Sequence, residues 1–434
     1  MVATKDQLKQ HKDVYVIDGA RTPFIKARGK PGPFTAGDLA VSAGRPLLLR
    51  QSFVPDDLSE VILGCVMPGP NEVNIARVAS LRLGIGKKVP AFTVQRNCAS
   101  GMQALATAAN NIALGHSSLV LAGGVEAMSH APLLLNEKMV TWLADFGRAK
   151  GAQKLLALTK LRPAMLKPVI GLLKGLTDHN VGLSMGATAE IIAHRFGVTR
   201  EEMDSFSMDS HMKLAKAQEE GSITEIEAMY DGFGNFYEHD NGLRKETTME
   251  TLAKLRPAFD KTFGSVTAGN SAQITDGAAW LILASSDAVK KHNLEPIARI
   301  VDCQWSGVDP AQMGLGPTHA MADLFKRQNL QTEDIDYWEI NEAFATQVLA
   351  VLRAWDDEEY CKNELGLEKP FAPIPTDSLN VNGGAVCTGH PVGASGARIV
   401  LRLVNLLKQK KAKRAVASLC IGGGQGGAML IERD

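Results

Sequence analysis

The chain has 434 residues, 45% of them hydrophobic and 22% charged, and its 47 basic side chains balance 47 acidic ones. That length supports two or three core-building units, and the even charge excludes the basic signature of a nucleic-acid binder. Six cysteines with no CxxC pair are too few for a disulfide scaffold and wrongly spaced for zinc, which predicts free thiols in a reducing, cytoplasmic setting.

In chain order, residues 1–13 mix Lys with Asp and read as no secretory leader, and no later run is long and apolar enough to span a bilayer. Residues 14–17 and 60–63 read as buried strands. Phe92, Thr93 and Val94 form another, followed by Cys98 and an alanine-rich helix over 100–114. A strand over 119–122 runs into Gly123 and Gly124. This alternation predicts an α/β architecture with buried sheets. Cys98, between strand and helix, is placed for its sulfur to feel the helix's positive end, which favours a thiolate. Gly101 leaves room there for a second backbone.

Residues 147–176 carry Arg148, Lys150, Lys154, Lys160, Arg162, Lys167 and Lys174 with no acid among them, and leucines fill most gaps. Pro163 and Pro168 predict short, broken helices. Such a stretch can lie on an anionic membrane, dock a partner subunit, or simply cover substrate with its lysines in solvent. Residues 355–377, acidic and holding three prolines, read as a surface excursion.

The second half carries Asn341 to Phe344 after a strand, His390 in a glycine-dense loop before a helix over 397–407, and Cys420 ending a strand ahead of Gly422, Gly423 and Gly424. The 422–427 glycine run matches no nucleotide fingerprint, and reads as a turn that exposes a thiol and aims backbone donors at an oxyanion. Two stretches repeat in the same order: 57–64 resembles 334–341, and 118–124 resembles 415–422. Duplication of a βα unit follows, with 1–128 and 129–267 as the two parts of a first half, the latter holding the insert, and 268–434 as the second half.

The strings around Cys98, Asn341, His390 and Cys420 together resemble the thiolase family. The resemblance covers nearly the whole chain. It implies two βαβαβαββ halves in five αβαβα layers with a loop domain over the site. It also implies an acyltransferase in which Cys98 is acylated and His390 is its base. Cys420 protonates the departing acetyl-CoA enolate and then deprotonates incoming CoA. Asn341 holds a water that forms one oxyanion hole with His390, and the N–H groups of Cys98 and Gly422 form the other. Coenzyme A, a substrate, is expected at Arg244, Ser271, Phe259, Met185, Met313 and Phe344, with no metal, nicotinamide or flavin. Where the family's usual cofactor-facing serine falls, this chain has Ala272, with Ser271 one place earlier. Ser184 stands where short-chain members have histidine. This and the insert resemble β-oxidation thiolases and the trifunctional β subunit, although Asn341 departs from the histidine usual in those β subunits. The implied substrates are 3-ketoacyl-CoA and CoA, and the implied assembly is a homodimer or homotetramer, with an enoyl-CoA hydratase/3-hydroxyacyl-CoA dehydrogenase or a membrane as further partner. A short-chain acetyl-CoA acetyltransferase, a β-ketoacyl synthase and a non-enzymatic CoA or lipid carrier remain as alternatives.

Overall fold

The computed structural model describes residues 12–433, so most of the 1–13 stretch lies outside the described residues. Nine strands and seven helices position the site. The strands are β1 (Val14–Arg21), β2 (Glu60–Gly64), β3 (Ala91–Val94), β4 (Leu119–Ala127), β5 (Thr275–Ser285), β6 (Ala298–Gly307), β7 (Tyr337–Ile340), β8 (Arg414–Ile421) and β9 (Gln425–Glu432). The helices are α1 (Ala36–Leu49), α2 (Ser100–Ala113), α3 (Met185–Arg195), α4 (Arg200–Glu219), α5 (Gly316–Gln328), α6 (Ala345–Asp356) and α7 (Val392–Lys410).

The strands join in the order β7-β8-β9-β6-β1-β5-β4-β2-β3. Outward from the centre, each half runs first, fifth, fourth, second. In both halves the second and fourth strands are parallel, and the fourth–fifth and fifth–first pairs are antiparallel. The third place is β3 in the first half; in the second it is a single parallel bridge from Trp338 to Leu379. The halves meet in a short antiparallel seam, with Val14, Tyr15 and Val16 opposite Ile300, Arg299 and Ala298. The sequence repeats at 57–64/334–341 and 118–124/415–422 lead into or cover the second and fourth strands of each half. The fifth strand of the first half, β5, lies beyond residue 268, where the sequence reading began the second half.

The layering follows from burial. β4 and β5 are buried along their whole length, as strands covered on both faces must be. One core cluster gathers α2 and α7 between the inner faces of the two halves. A second packs α1 on the outside of the first half, and a third packs α5 and α6 on the outside of the second. The result is five αβαβα layers. Small residues let α2 and α7 touch: a Cβ on Gly101 would lie 2.8 Å from the Gly393 carbonyl oxygen.

Two regions of irregular sequence differ in kind. Residues 355–377 run mostly over the surface, as expected, but the segment is pinned to the core. Trp355 is fully buried and stacks on Phe371 at 4.3 Å, and Tyr360 and Cys361 follow it into the core on the helix Glu358–Asn363. Apolar side chains set among the acids anchor the segment. The basic insert, by contrast, stays outside. Its short helices Ala152–Thr159, Pro163–Leu166 and Gly171–Gly175 bury no residue.

Candidate active site

Cys98 lies on the turn from β3 to α2. Asn97 makes the bend with a left-handed φ of 43°, a conformation asparagine tolerates better than most residues. Its side-chain amide donates to the Gly422 carbonyl at 2.7 Å, which ties the nucleophile's turn to the glycine turn of the other half. Burial pushes the Cys98 thiol above its ordinary value. The N–H groups of Gly422 and of Cys98 itself pull it partly back, and the Glu126 charge adds to the rise. Desolvation is the largest of these effects, so the resting sulfur keeps its proton. The contact with Gly422 N–H marks where two backbone donors converge beside the sulfur.

His390 follows Gly389, whose φ of 98° no side chain adopts comfortably. Its Nδ1 is 2.6 Å from Ser395 Oγ, and that hydroxyl has the Pro391 carbonyl as acceptor at 3.2 Å. With the hydroxyl proton on Pro391 O, Nδ1 carries the ring N–H and the lone pair is left on Nε2, the tautomer the reaction below requires. Nε2 is buried and has no protein partner. Burial, helped by the charge of Arg398, holds the imidazole down at about 4, so it is a neutral base at pH 7.

Asn341 closes β7, its N–H donating to Ser418 O at 2.9 Å. Both polar atoms of its fully buried side chain lack a protein partner. Unpaired amide atoms at that depth are costly unless a water or ligand meets them. Neighbouring groups fix the position: Asn380 donates to Ile340 O and to Glu342, each at 2.9 Å. Glu342 also accepts from Ser210 Oγ at 2.7 Å and Val386 N at 3.1 Å, joining the 380–390 loop to the end of β7.

Cys420 sits near the end of β8, before a turn in which Gly423 and Gly424 have φ of 90° and 76°. Burial pushes its thiol far up, and the Cys98 charge pushes it further, which places the two sulfurs within electrostatic reach. A cavity of about 230 Å³ opens beside Cys98, lined also by Gly422, Met185, Met67, Met128 and Leu176.

Of the expected coenzyme contacts, Met185 lines this cavity and packs with Met313, Phe344 and Cys420 in one apolar cluster. Phe259 meets the Phe344 ring edge-on at 5.9 Å and keeps 42% of its surface exposed. Ser271 pairs with Phe344 through the backbone, but its hydroxyl is spent on Thr267 O at 2.7 Å. Arg244 stands apart, exposed and outside the cavity lining, with its N–H on His211 Nδ1 at 3.2 Å. Ser184, in the place of the short-chain histidine, caps α3 by accepting from Ala187 N. Sequence reasoning gave no role to Ser395, Glu126 or Glu342. A lone glutamate inside the apolar strand β4 was the available signal for Glu126.

A family model described as "Thiolase, N-terminal domain" matches residues 14–287, and one described as "Thiolase, C-terminal domain" matches 294–433. Trifunctional enzyme subunit beta of Rattus norvegicus is 36% identical over 97% of this chain and 88% of its own length. The structure of human mitochondrial 3-ketoacyl-CoA thiolase in complex with CoA superposes with a TM-score of 0.82 at 36% identity, covering 98% of each chain. That of the Bacillus anthracis acetyl-CoA acetyltransferase gives 0.84 at 36% identity, covering 98% of this chain and 99% of that one.

Proposed function

Since the chain belongs to the thiolase family and is an acyltransferase that uses CoA as substrate, we propose that it cleaves 3-ketoacyl-CoA of medium or long chain, with Cys98, His390, Cys420, Asn341 and Gly422 in the roles below. His390 Nε2 takes the Cys98 proton as the sulfur adds to the keto carbon. The new alkoxide lies at the N–H groups of Cys98 and Gly422. When the bond between C2 and C3 breaks, the electron pair moves onto the thioester oxygen. That enolate is met by the protonated Nε2 and by a water on Asn341, and each good oxyanion donor contributes about 10²–10³ in rate. Cys420, whose raised thiol holds a proton to give, protonates the enolate carbon and releases acetyl-CoA. Its thiolate then takes the proton of incoming CoA, whose sulfur carries the acyl group away from Cys98. Read backwards, the same steps are a Claisen condensation.

The observation that carries the chain-length reading is the lining of the cavity. Met67, Met128, Leu172 and Leu176 line it together with Cys98, so the insert's end supplies apolar surface for an alkyl chain beside the polar Asp178, His179 and Asn180. Thiolysis of 3-ketohexadecanoyl-CoA should therefore show a kcat/KM at least tenfold that of acetoacetyl-CoA, each added methylene burying roughly 0.8 kcal/mol of apolar surface. A preference for acetoacetyl-CoA would assign the chain to the short-chain acetyltransferases instead.

The same proposal extends to partners. A homodimer or homotetramer would cover the open edge strand β3, where Phe92 is exposed beside the nucleophile's turn. The insert presents Leu155, Leu156, Leu166 and Leu173 to solvent among its seven cations. Its first helix is clamped to the preceding helix Glu137–Arg148, Trp142 Nε1 donating to Ala157 O at 2.8 Å and Lys154 lying over Phe146. Preformed apolar ridges with basic flanks suit an anionic bilayer better than a hydratase–dehydrogenase subunit. At ~1 kcal/mol per basic side chain near such a surface, replacing Lys154, Lys160 and Lys167 by Ala should weaken co-sedimentation with phosphatidylglycerol vesicles about a hundredfold. Unchanged co-sedimentation would leave the protein partner as the better reading.

A further inference from the structure

We infer that Glu126 is a positioning residue that sets the nucleophile and the base in register across the two halves of the fold. This inference rests on the reaction above and concerns a side chain that none of its steps uses.

Glu126 is fully buried near the end of β4. Its carboxylate accepts from Val66 N and Met67 N, both at 2.9 Å, from Gly393 N at 3.0 Å, and from the Cys65 thiol at 3.6 Å. Two of these donors, on Val66 and Met67, belong to the first half and its cavity wall. The third, on Gly393, is in the first turn of α7, three residues after His390. One carboxylate thus holds the cavity wall and the base-bearing segment at once.

The junction around it leaves no slack. A Cβ on Gly124 would fall 2.0 Å from the Gly393 carbonyl oxygen, and one on Gly393 would fall 2.6 Å from a Glu126 oxygen and 2.4 Å from the Val125 carbonyl. Gly101, one turn into the nucleophile's helix, meets that same Gly393 carbonyl. The start of α7 is therefore wedged between β4 and α2, and Glu126 is the polar centre of the wedge. Apolar packing alone would let α7 slide along α2. Three charge-assisted bonds of fixed length do not.

A buried acid costs desolvation, and burial lifts this one to about 7 despite its donors. Its charge also acts on Cys98, raising the thiol. On electrostatics alone the residue opposes nucleophile formation. Its benefit must then be geometric, which separates the two effects experimentally.

The test uses the intact enzyme. Glu126→Gln places an amide N–H against backbone N–H groups and removes the charge. The expected result is a loss in thiolysis kcat of about 10²-fold, the scale of a 1 Å misplacement, with KM for CoA within about twofold. The pH midpoint for Cys98 alkylation by iodoacetamide should meanwhile move to lower pH. Glu126→Asp keeps the charge but withdraws the oxygens by one methylene. It should lose kcat with the alkylation midpoint unmoved, and it decides the matter alone if the Gln variant does not fold. A merely structural glutamate would lower the melting temperature and the yield of active enzyme, leaving kcat per alkylatable Cys98 unchanged; that result overturns the inference. So does an unchanged kcat in a folded Gln variant. Alkylation needs no ketoacyl substrate, so a wild type that alkylates normally but cleaves nothing would refute the reaction assignment and not this one.

Discussion

Cys98→Ala should lose thiolysis and condensation together, by roughly 10⁴-fold or more, as removal of a covalent nucleophile does. Both directions pass through one acyl-sulfur bond, and no neighbour can form it. Cys420, in the apolar cluster with Met313 and Phe344, and the buried Cys65 and Cys387 all carry thiols raised well above the ordinary value, which keeps them protonated and poor nucleophiles. The check is direct: the wild type incubated with acetyl-CoA should gain one acetyl group by intact mass, placed on Cys98 by peptide mapping, and the variant none. Measurable turnover above a trace in the variant would move the nucleophile elsewhere.

His390→Ala should lower kcat about 10³-fold at pH 7.5, within the usual range for a positioned base. Its pH profile is the sharper signature. In the wild type the imidazole is held at about 4 and the Cys98 thiol above its ordinary value, so near neutral pH the base is free and the acid intact. Lowering the pH should cost wild-type activity in two stages, first as Glu126 protonates near 7 and then as the base protonates near 4. In the variant, the only nucleophile is thiolate formed by solvent. Its residual rate should then climb about tenfold per pH unit up to the thiol's own raised midpoint. A variant with a flat profile would show that His390 does not carry the Cys98 proton. The same burial has a cost in stability. Unfolded histidine takes a proton near 6.5 while the folded ring refuses it until about 4, so the fold loses stability as the pH falls through that window.

The layering and repeated halves were legible because they are written in local pattern. Uninterrupted apolar runs such as 119–122 announce strands covered on both faces, and an alanine-rich segment such as 100–113 announces a helix packed closely. Three of the four chemical positions stand out in sequence at or just beyond a strand end, Cys98, Asn341 and Cys420, and His390 stands out in a glycine-dense loop ahead of a helix. The anchors of residues 355–377, Trp355, Tyr360 and Phe371, were not legible among the acids and prolines, because only tertiary contact shows which side chains turn inward. The desolvation of Cys98 was not legible either. A helix end is visible in sequence, whereas burial of the thiol depends on what the other half lays on top. Glu126 and Ser395 act through residues hundreds of positions away or through a ring tautomer, and no spacing encodes either.

The seam between the halves has a consequence for synthesis. β1 is made first, yet its two neighbours in the sheet are β5 and β6, which begin at Thr275 and Ala298. A nascent chain must therefore carry Val14 and Val16, both buried in the finished protein, as an unpaired apolar strand until well over half of it has left the ribosome. Such late closure makes folding slow and the growing chain prone to aggregation. Fragments ending before residue 285 have an open sheet where β5 belongs, so the first half is not an autonomous unit on the ribosome. The halves repeat one plan in space, but in time they can only be completed together.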